Sequence, residues 1–349
     1  MVLSSILFAT AALAAVSLGT PVAIVGNQVN TTAASGCFPA IGFTPPSGTP
    51  TTPVASWWCN EQDEQGFYGF SYAVNDCPSA TQIAKDFTRM RKDFNARYVR
   101  IYAACDTSGF YDRIITAAYN AGIGVYAVIW FGFDGTNEWM GRRDALINTV
   151  KNNPLARYVI RSIDVGSEPL YDWVLSPKDL AAQVTNVKNQ VGTYGVKVSI
   201  SEMQYGYTVQ GDSKAVLNAI DAVHAHQIPF FDGDAKDGGN ANAWNSVSKS
   251  TSWFVSNTAS SKKIIFTQTG WPSNSNIWKP NSASAVASVA SEQAFFNLLD
   301  TRCADLKAMT PKGGVGWFWQ IWSDPQLDGW GALDWNGNPK FKFAPKTSC

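Results

Sequence analysis

Three polar side chains stand where they could act on a substrate. Glu168 closes the run Ile163-Asp164-Val165-Gly166-Ser167-Glu168-Pro169, Glu202 follows Ser199-Ile200-Ser201, and Gln268 follows Ile264-Ile265-Phe266-Thr267. An apolar run ending in a polar group reads as a buried strand that presents the group at its tip. Two carboxyls facing each other across an aromatic-lined groove would suit cleavage of a glycosidic bond. One protonates the leaving oxygen, while the other attacks the anomeric carbon at about 5 Å separation or activates water at about 6.5–9.5 Å. Gly166 permits close approach and Pro169 fixes the following backbone, so the Glu168 carboxyl is expected to be held in place. For Glu202 a salt bridge or helix cap is an equal alternative. Asp164 shares the strand face of Glu168 one layer lower and reads as a hydrogen-bonded core acid.

Aromatic residues make up 13% of the chain, with 14 Trp, against 15% charged residues. That exceeds what most cores need, so some rings are expected to line a groove and stack on sugar faces. Tyr72, Tyr102, Trp130, Trp271, Trp319 and Trp322, all near strand ends, are the candidate substrate contacts; core or rim packing is the plain alternative for each. His224 and His226 are the only histidines and share one strand face. With no third ligand they are a weak metal signature, and a structural or cleft-lining role is expected. No sequence feature asks for a metal or an organic cofactor. No Gly-x-Ser-x-Gly and no phosphate-cradling loop occurs. A formal net charge of zero gives no electrostatic reason to expect nucleic acid or an acidic membrane as partner.

The elements that must position these groups follow from periodicity. Strands are expected at 67–74, 97–103, 124–131, 158–165, 196–201, 223–230, 263–267 and 315–321. Helical patterns lie between them at 80–94, 110–120, 137–152, 177–194, 213–222, 243–257 and 284–306. Eight alternations predict a closed (β/α)8 barrel over residues 66–349, with an open doubly wound sheet as the lesser alternative. After Ile321 no eighth helix is evident. Residues 1–20 read as a signal peptide, with a membrane-anchoring helix as the weaker alternative, and 21–65 as a flexible Pro/Thr/Ser-rich leader. Asn30, in Asn30-Thr31-Thr32, is a glycosylation acceptor. Six cysteines allow up to three disulfides of open connectivity. Together these features point to a secreted protein, and a monomer is the default.

Phe67-Tyr68-Gly69-Phe70-Ser71-Tyr72, Val165-Gly166-Ser167-Glu168-Pro169, Ile228-Pro229-Phe230-Phe231 and Thr267-Gln268-Thr269-Gly270-Trp271-Pro272-Ser273 resemble the landmarks of glycoside hydrolase family 17. These are the β-1,3-glucan hydrolases and transglycosylases of plants and fungi. The resemblance covers about Gly66 to Ile321 and implies a (β/α)8 barrel, a retaining mechanism and a β-glucan substrate, while the composition and the Thr/Pro-rich leader suggest a fungal cell-wall protein. It implies that Glu168 is the acid/base, with Ser167 replacing the family's Asn. It places the nucleophile, a Glu in the family, at Gln268. An amide is a poor nucleophile. Either Glu202 supplies the missing carboxylate, by a rearranged retaining or an inverting route, or the chain keeps a glucan groove without turnover.

Overall fold

In a computed structural model that describes residues 36–132 and 135–349, the apolar runs pair as eight parallel strands. They are β1 (Gly66–Ala73), β2 (Tyr98–Tyr102), β3 (Gly124–Ile129), β4 (Ile160–Ser167), β5 (Lys197–Glu202), β6 (Val223–Gln227), β7 (Ile264–Thr269) and β8 (Val315–Trp319). Each pairs with its sequence neighbour, and β8 closes on β1 through Gly66↔Gly316 and Phe70↔Trp319. The expected barrel forms, and the open sheet is excluded because β1 is paired on both edges. The expected signal peptide and Asn30 lie outside the described residues.

The helices start and stop where local chemistry directs. Helix Ala80–Phe94 begins after Ser79, whose hydroxyl accepts from the Gln82 amide at 3.2 Å. It buries Ile83, Phe87, Met90 and Phe94 along one stripe and ends at Asn95 in the left-handed region, φ 55°. Helix Pro177–Val191 is capped by Ser176 and starts on Pro177, which needs no partner for an N–H it lacks. The long helix expected over 284–306 divides into Val289–Thr301 and Cys303–Met309, with its start set by the Ser288 cap.

Strand parity sorts the barrel interior. Tyr68, Tyr98, Tyr126, Ile265 and Phe318 pack together near the N-terminal ends of the strands, with Tyr98 and Tyr126 rings 5.2 Å apart and Tyr126 and Phe318 rings 5.1 Å apart. Above them Asp164 and His224 pair at 2.5 Å, both buried, so Asp164 is the core acid expected. The floor has room only because Gly316 has no side chain: a Cβ there would meet the Tyr68 ring at 2.1 Å. Gly316→Ala is therefore expected to cost about 2–3 kcal/mol of stability by overpacking. A denaturant midpoint equal to that of the native chain would contradict this tight floor.

The segment after β8 covers the face an eighth helix would have taken. Phe341 and Phe343 are buried there, with Phe343 5.6 Å from Trp319 and 4.5 Å from Phe296. On β8 the odd residues Trp317 and Trp319 point outward into this cluster, while Gly316 and Phe318 point inward. Trp319 and Trp322 are consequently buried core residues, Trp322 lying 5.0 Å from Phe70, and not the sugar platforms expected. Trp271 is also fully buried, its indole donating to Val286 O at 2.8 Å. Tyr72 points outward, its hydroxyl donating to Asp86 at 2.8 Å. For these four residues the alternative of packing describes the structure.

Residues 36–65 do not run as the loose leader expected over 21–65. Cys37 is bonded to Cys59, Phe38 and Trp57 are buried and stacked at 5.2 Å, and the Trp57 indole donates to Tyr158 O at 2.8 Å. Apolar side chains hidden among the Pro, Thr and Ser residues drive this packing. Glu64 enters the barrel floor, accepting from the Tyr98 hydroxyl at 2.7 Å. The other cysteines pair as Cys77–Cys105 and Cys303–Cys349. Three disulfides fit folding in an oxidising, extracellular setting. No described helix is long and apolar enough to cross a membrane.

Candidate active site

At the C-terminal ends of the strands lies a cleft of about 180 Å³. Its walls are Tyr102 and Trp130 on one side and Phe231, Trp278 and Trp330 on the other, with Ser167, Glu168, Asp172, Gln268 and Gln320 supplying the polar groups. Of the residues expected here, Glu168, Gln268, Tyr102 and Trp130 come together. Trp278 and Trp330 come from loops far apart in sequence and were not singled out, whereas Phe231 was read only as part of the Ile228–Phe231 landmark. Gln320 and Arg100 could have been found by counting parity from Phe318 and Tyr98.

The local sequence holds Glu168 as Gly166 and Pro169 suggest. Gly166 has φ 94°, and a Cβ there would lie 2.9 Å from both the Phe131 ring and Pro169. Glu168 itself has φ 58°, a conformation of about 1 kcal/mol or more cost for a residue with a Cβ. Its amide donates to Ser201 O at 2.7 Å, which offsets that cost.

The Glu168 carboxylate receives a hydrogen bond from His226 Nδ1 at 2.7 Å. Behind it, His226 Nε2 lies 2.7 Å from Ser201 Oγ. Ser201 Oγ is 2.6 Å from Thr267 Oγ1 and accepts from Arg100 Nη2 at 3.2 Å. Arg100 can only donate, so one consistent pattern runs from Arg100 through Ser201 to a neutral His226 with its proton on Nδ1. Burial lowers the pKa of His226, in keeping with the neutral ring. Burial alone would raise the Glu168 pKa, but the His226 hydrogen bond and the positive charge of Arg100 outweigh it and hold the carboxyl below its usual range.

Gln268 faces the same guanidinium. Arg100 Nη1 donates to Gln268 Oε1 at 3.4 Å and Arg100 Nη2 to Ser167 Oγ at 3.0 Å. A register irregularity between Phe266 and Thr269 lets Gln268 reach the cleft although Thr267 already points inward. Asp172, on the loop after β4, has its pKa pushed up to about 6 by burial and then by the Glu168 charge.

Glu202 lies elsewhere. Ser201 takes the inward position at the end of β5, so Glu202 points outward and is fully buried. Its Oε2 accepts from the Leu170 and Tyr171 amides at 2.8 and 3.1 Å, and its Oε1 from the Met203 amide at 2.8 Å. It is not among the residues lining the cleft. Burial, its strongest influence, pushes its pKa up to about 8 against the three amide hydrogen bonds.

Gln320 stands out among the lining residues. It is buried, and both its amide oxygen and nitrogen lack a hydrogen-bond partner among the described residues, as does the Trp330 indole nitrogen. Buried polar groups without partners are costly, and in a cleft they are the groups a bound hydroxyl would satisfy.

Solved structures share this architecture. A glycoside hydrolase family 17 β-1,3-glucanosyltransferase from Rhizomucor miehei superposes with a TM-score of 0.64 at 22% identity, over 82% of this chain and 99% of that one. An active-site mutant of the Rhizomucor miehei enzyme in complex with laminaritriose gives 0.64 at 21%, over 83% and 99%. A β-glucuronidase from Bacteroides uniformis gives 0.58 at 12%, over 80% and 35%. At these identities the likeness is one of fold. Among curated proteins none matches the sequence significantly. Residues 68–328, from β1 to beyond β8, match the BtgE/BtgC glycoside hydrolase domain, and the chain belongs to that family of glycosidases.

Proposed function

We propose that the chain acts on β-glucan, most simply the β-1,3-linked polymer of a cell wall, by hydrolysis or transglycosylation with Glu168 as general acid/base. The observation that carries this is the pairing of Glu168 with His226 in an aromatic cleft whose Gln320 amide and Trp330 indole await hydrogen-bonding partners. Sugar rings offer C–H faces to the aromatic walls and hydroxyls to those polar atoms. The laminaritriose complex of the Rhizomucor miehei mutant and the family assignment support the substrate class.

As general acid, Glu168 must first take up a proton and then pass it to the leaving oxygen. The carboxylate left behind, which His226 stabilises, is then the base that takes the proton of the water or sugar hydroxyl bonding to the anomeric carbon. Gln268 stands where the resemblance to glycoside hydrolase family 17 puts the nucleophile, and Glu202 serves as a backbone clip that holds the Glu168 loop. A second reading, a glucan-binding protein without turnover, draws on the same facts: Arg100 meets an amide at position 268, and the Glu202 oxygens are occupied. The two readings separate when the secreted chain is incubated with soluble β-1,3-glucan. New reducing ends or altered chain lengths, lost in Glu168→Gln, mark an enzyme; retardation on a glucan gel with unchanged chains marks a binder.

The His226 contact also sets a pH expectation. It holds the Glu168 pKa down, so the acid form is lost early as pH rises. In His226→Ala the uncompensated burial lifts that pKa, and the falling limb of the pH–rate profile moves to higher pH. A falling limb left in place, at whatever rate, would show that another group provides the proton.

A further inference from the structure

Among the described residues four aromatic side chains are exposed: Tyr171 (43%), Trp173 (63%), Tyr205 (56%) and Trp335 (62%). Three of them sit on the two neighbouring loops that follow β4 and β5. Tyr171 and Trp173 flank Asp172, which lines the cleft, and the Tyr171 and Tyr205 rings meet edge to face at 6.2 Å. A lone exposed ring is ordinary on a protein surface, but exposed rings that meet one another beside a cleft form the kind of patch that marks an interaction site.

These rings are held firmly at their backbones. The Glu202 carboxyl group, fully buried, accepts from the Leu170 and Tyr171 amides on one loop and the Met203 amide on the other. The Asp172, Trp173 and Val174 amides close a turn on Glu168, Leu170 and Pro169 carbonyls at 2.9, 3.2 and 3.1 Å. Gly206 has no room for a side chain, since a Cβ would lie 2.3 Å from Glu202 Oε1. A buried carboxyl group that fixes two loops, whose tips carry exposed rings, makes a rigid platform.

We propose that Tyr171, Trp173 and Tyr205 form a second glycan-binding platform, continuous with the cleft at Asp172, over which a long β-glucan chain lies after leaving the cleft. The platform rests on the β-glucan reading of the cleft and adds a preference for polymer over short oligosaccharides. Its occupant is a polysaccharide, because the rings offer stacking faces and hydroxyls that match the two faces of a sugar ring.

The test compares Tyr171→Ala/Tyr205→Ala and Trp330→Ala with the native chain, each measured on soluble β-1,3-glucan polymer by affinity electrophoresis and on laminaritriose by calorimetry. The platform variant is expected to bind polymer about tenfold or more weakly, the loss of two stacking rings, while its laminaritriose affinity and melting temperature stay unchanged. Trp330→Ala is expected to weaken both ligands. Polymer affinity equal to the native value in the platform variant would overturn the platform and leave the cleft reading intact. Equal weakening towards both ligands would show that the two tyrosines belong to the cleft and form no separate platform. Failure of the native chain to bind either ligand would overturn both.

Discussion

Gln268→Glu is expected to raise turnover of soluble β-1,3-glucan by about 100-fold or more over the native chain, while Glu168→Gln lowers it to background. The expectation rests on what already surrounds position 268. Arg100 is fully buried, and its Nη1 points at the side-chain oxygen there at 3.4 Å. A buried guanidinium is far better matched by a carboxylate than by an amide, and it would keep a new Glu ionised and acceptor-only. An ionised carboxylate can attack the anomeric carbon, whereas an amide oxygen would have to form a charged imidate. Glu168 stays as it is, with His226 behind it. The decisive measurement is the rate of reducing-end formation or chain-length change, with circular dichroism to confirm that each variant is folded. A Gln268→Glu protein that is folded and no faster would remove position 268 from the nucleophile's place.

The second large effect concerns stability. Glu202→Ala strands three amide hydrogens, those of Leu170, Tyr171 and Met203, beneath two loops. At about 1 kcal/mol or more for each unsatisfied buried donor, a loss of about 3 kcal/mol or more is expected, together with loosening of the loop that carries Glu168. Because burial pushes the Glu202 pKa up to about 8 from its ordinary value of 4.5, the folded chain binds a proton there that the unfolded chain releases. Stability from this group is therefore full below pH 4.5 and declines as pH rises towards 8. Glu292 titrates in the same range, its pKa also pushed up to about 8 by burial, so the informative quantity is the difference between variants. Glu202→Gln should flatten the fall in melting temperature between pH 4.5 and 8. A fall as steep as in the native chain would place the titration elsewhere. Impaired turnover in Glu202→Ala that recovers in Glu202→Gln would mark a positioning residue and not a carboxylate that touches substrate.

Much of this protein was legible in its sequence. Alternating apolar runs and amphipathic segments pointed to a closed barrel ahead of an open doubly wound sheet, and the pairing of β8 with β1 decides between them. Gly166 and Pro169 announced a held Glu168, and the parity of Asp164 announced a core acid. The same parity rule, applied one residue further, separates Ser201 from Glu202, Phe318 from Trp319, and Ser71 from Tyr72. Side chains alternate along a strand, so each pair divides between the barrel interior and the shell.

Other features exist only in the folded chain. That His226 meets Glu168, with Arg100, Ser201 and Thr267 behind it, depends on β2, β5, β6, β7 and the end of β4 being brought to one height. The cleft walls join Tyr102 to Trp278 and Trp330 across more than half the chain. The pairing of the cysteines, and the docking of Phe38 and Trp57 from a segment composed like a linker, are likewise set by packing. Local spacing decides which element a residue joins and which face it takes. Distance between faces, and so which groups share a proton or a sugar, is decided by closure of the barrel and by how its loops pack over the mouth.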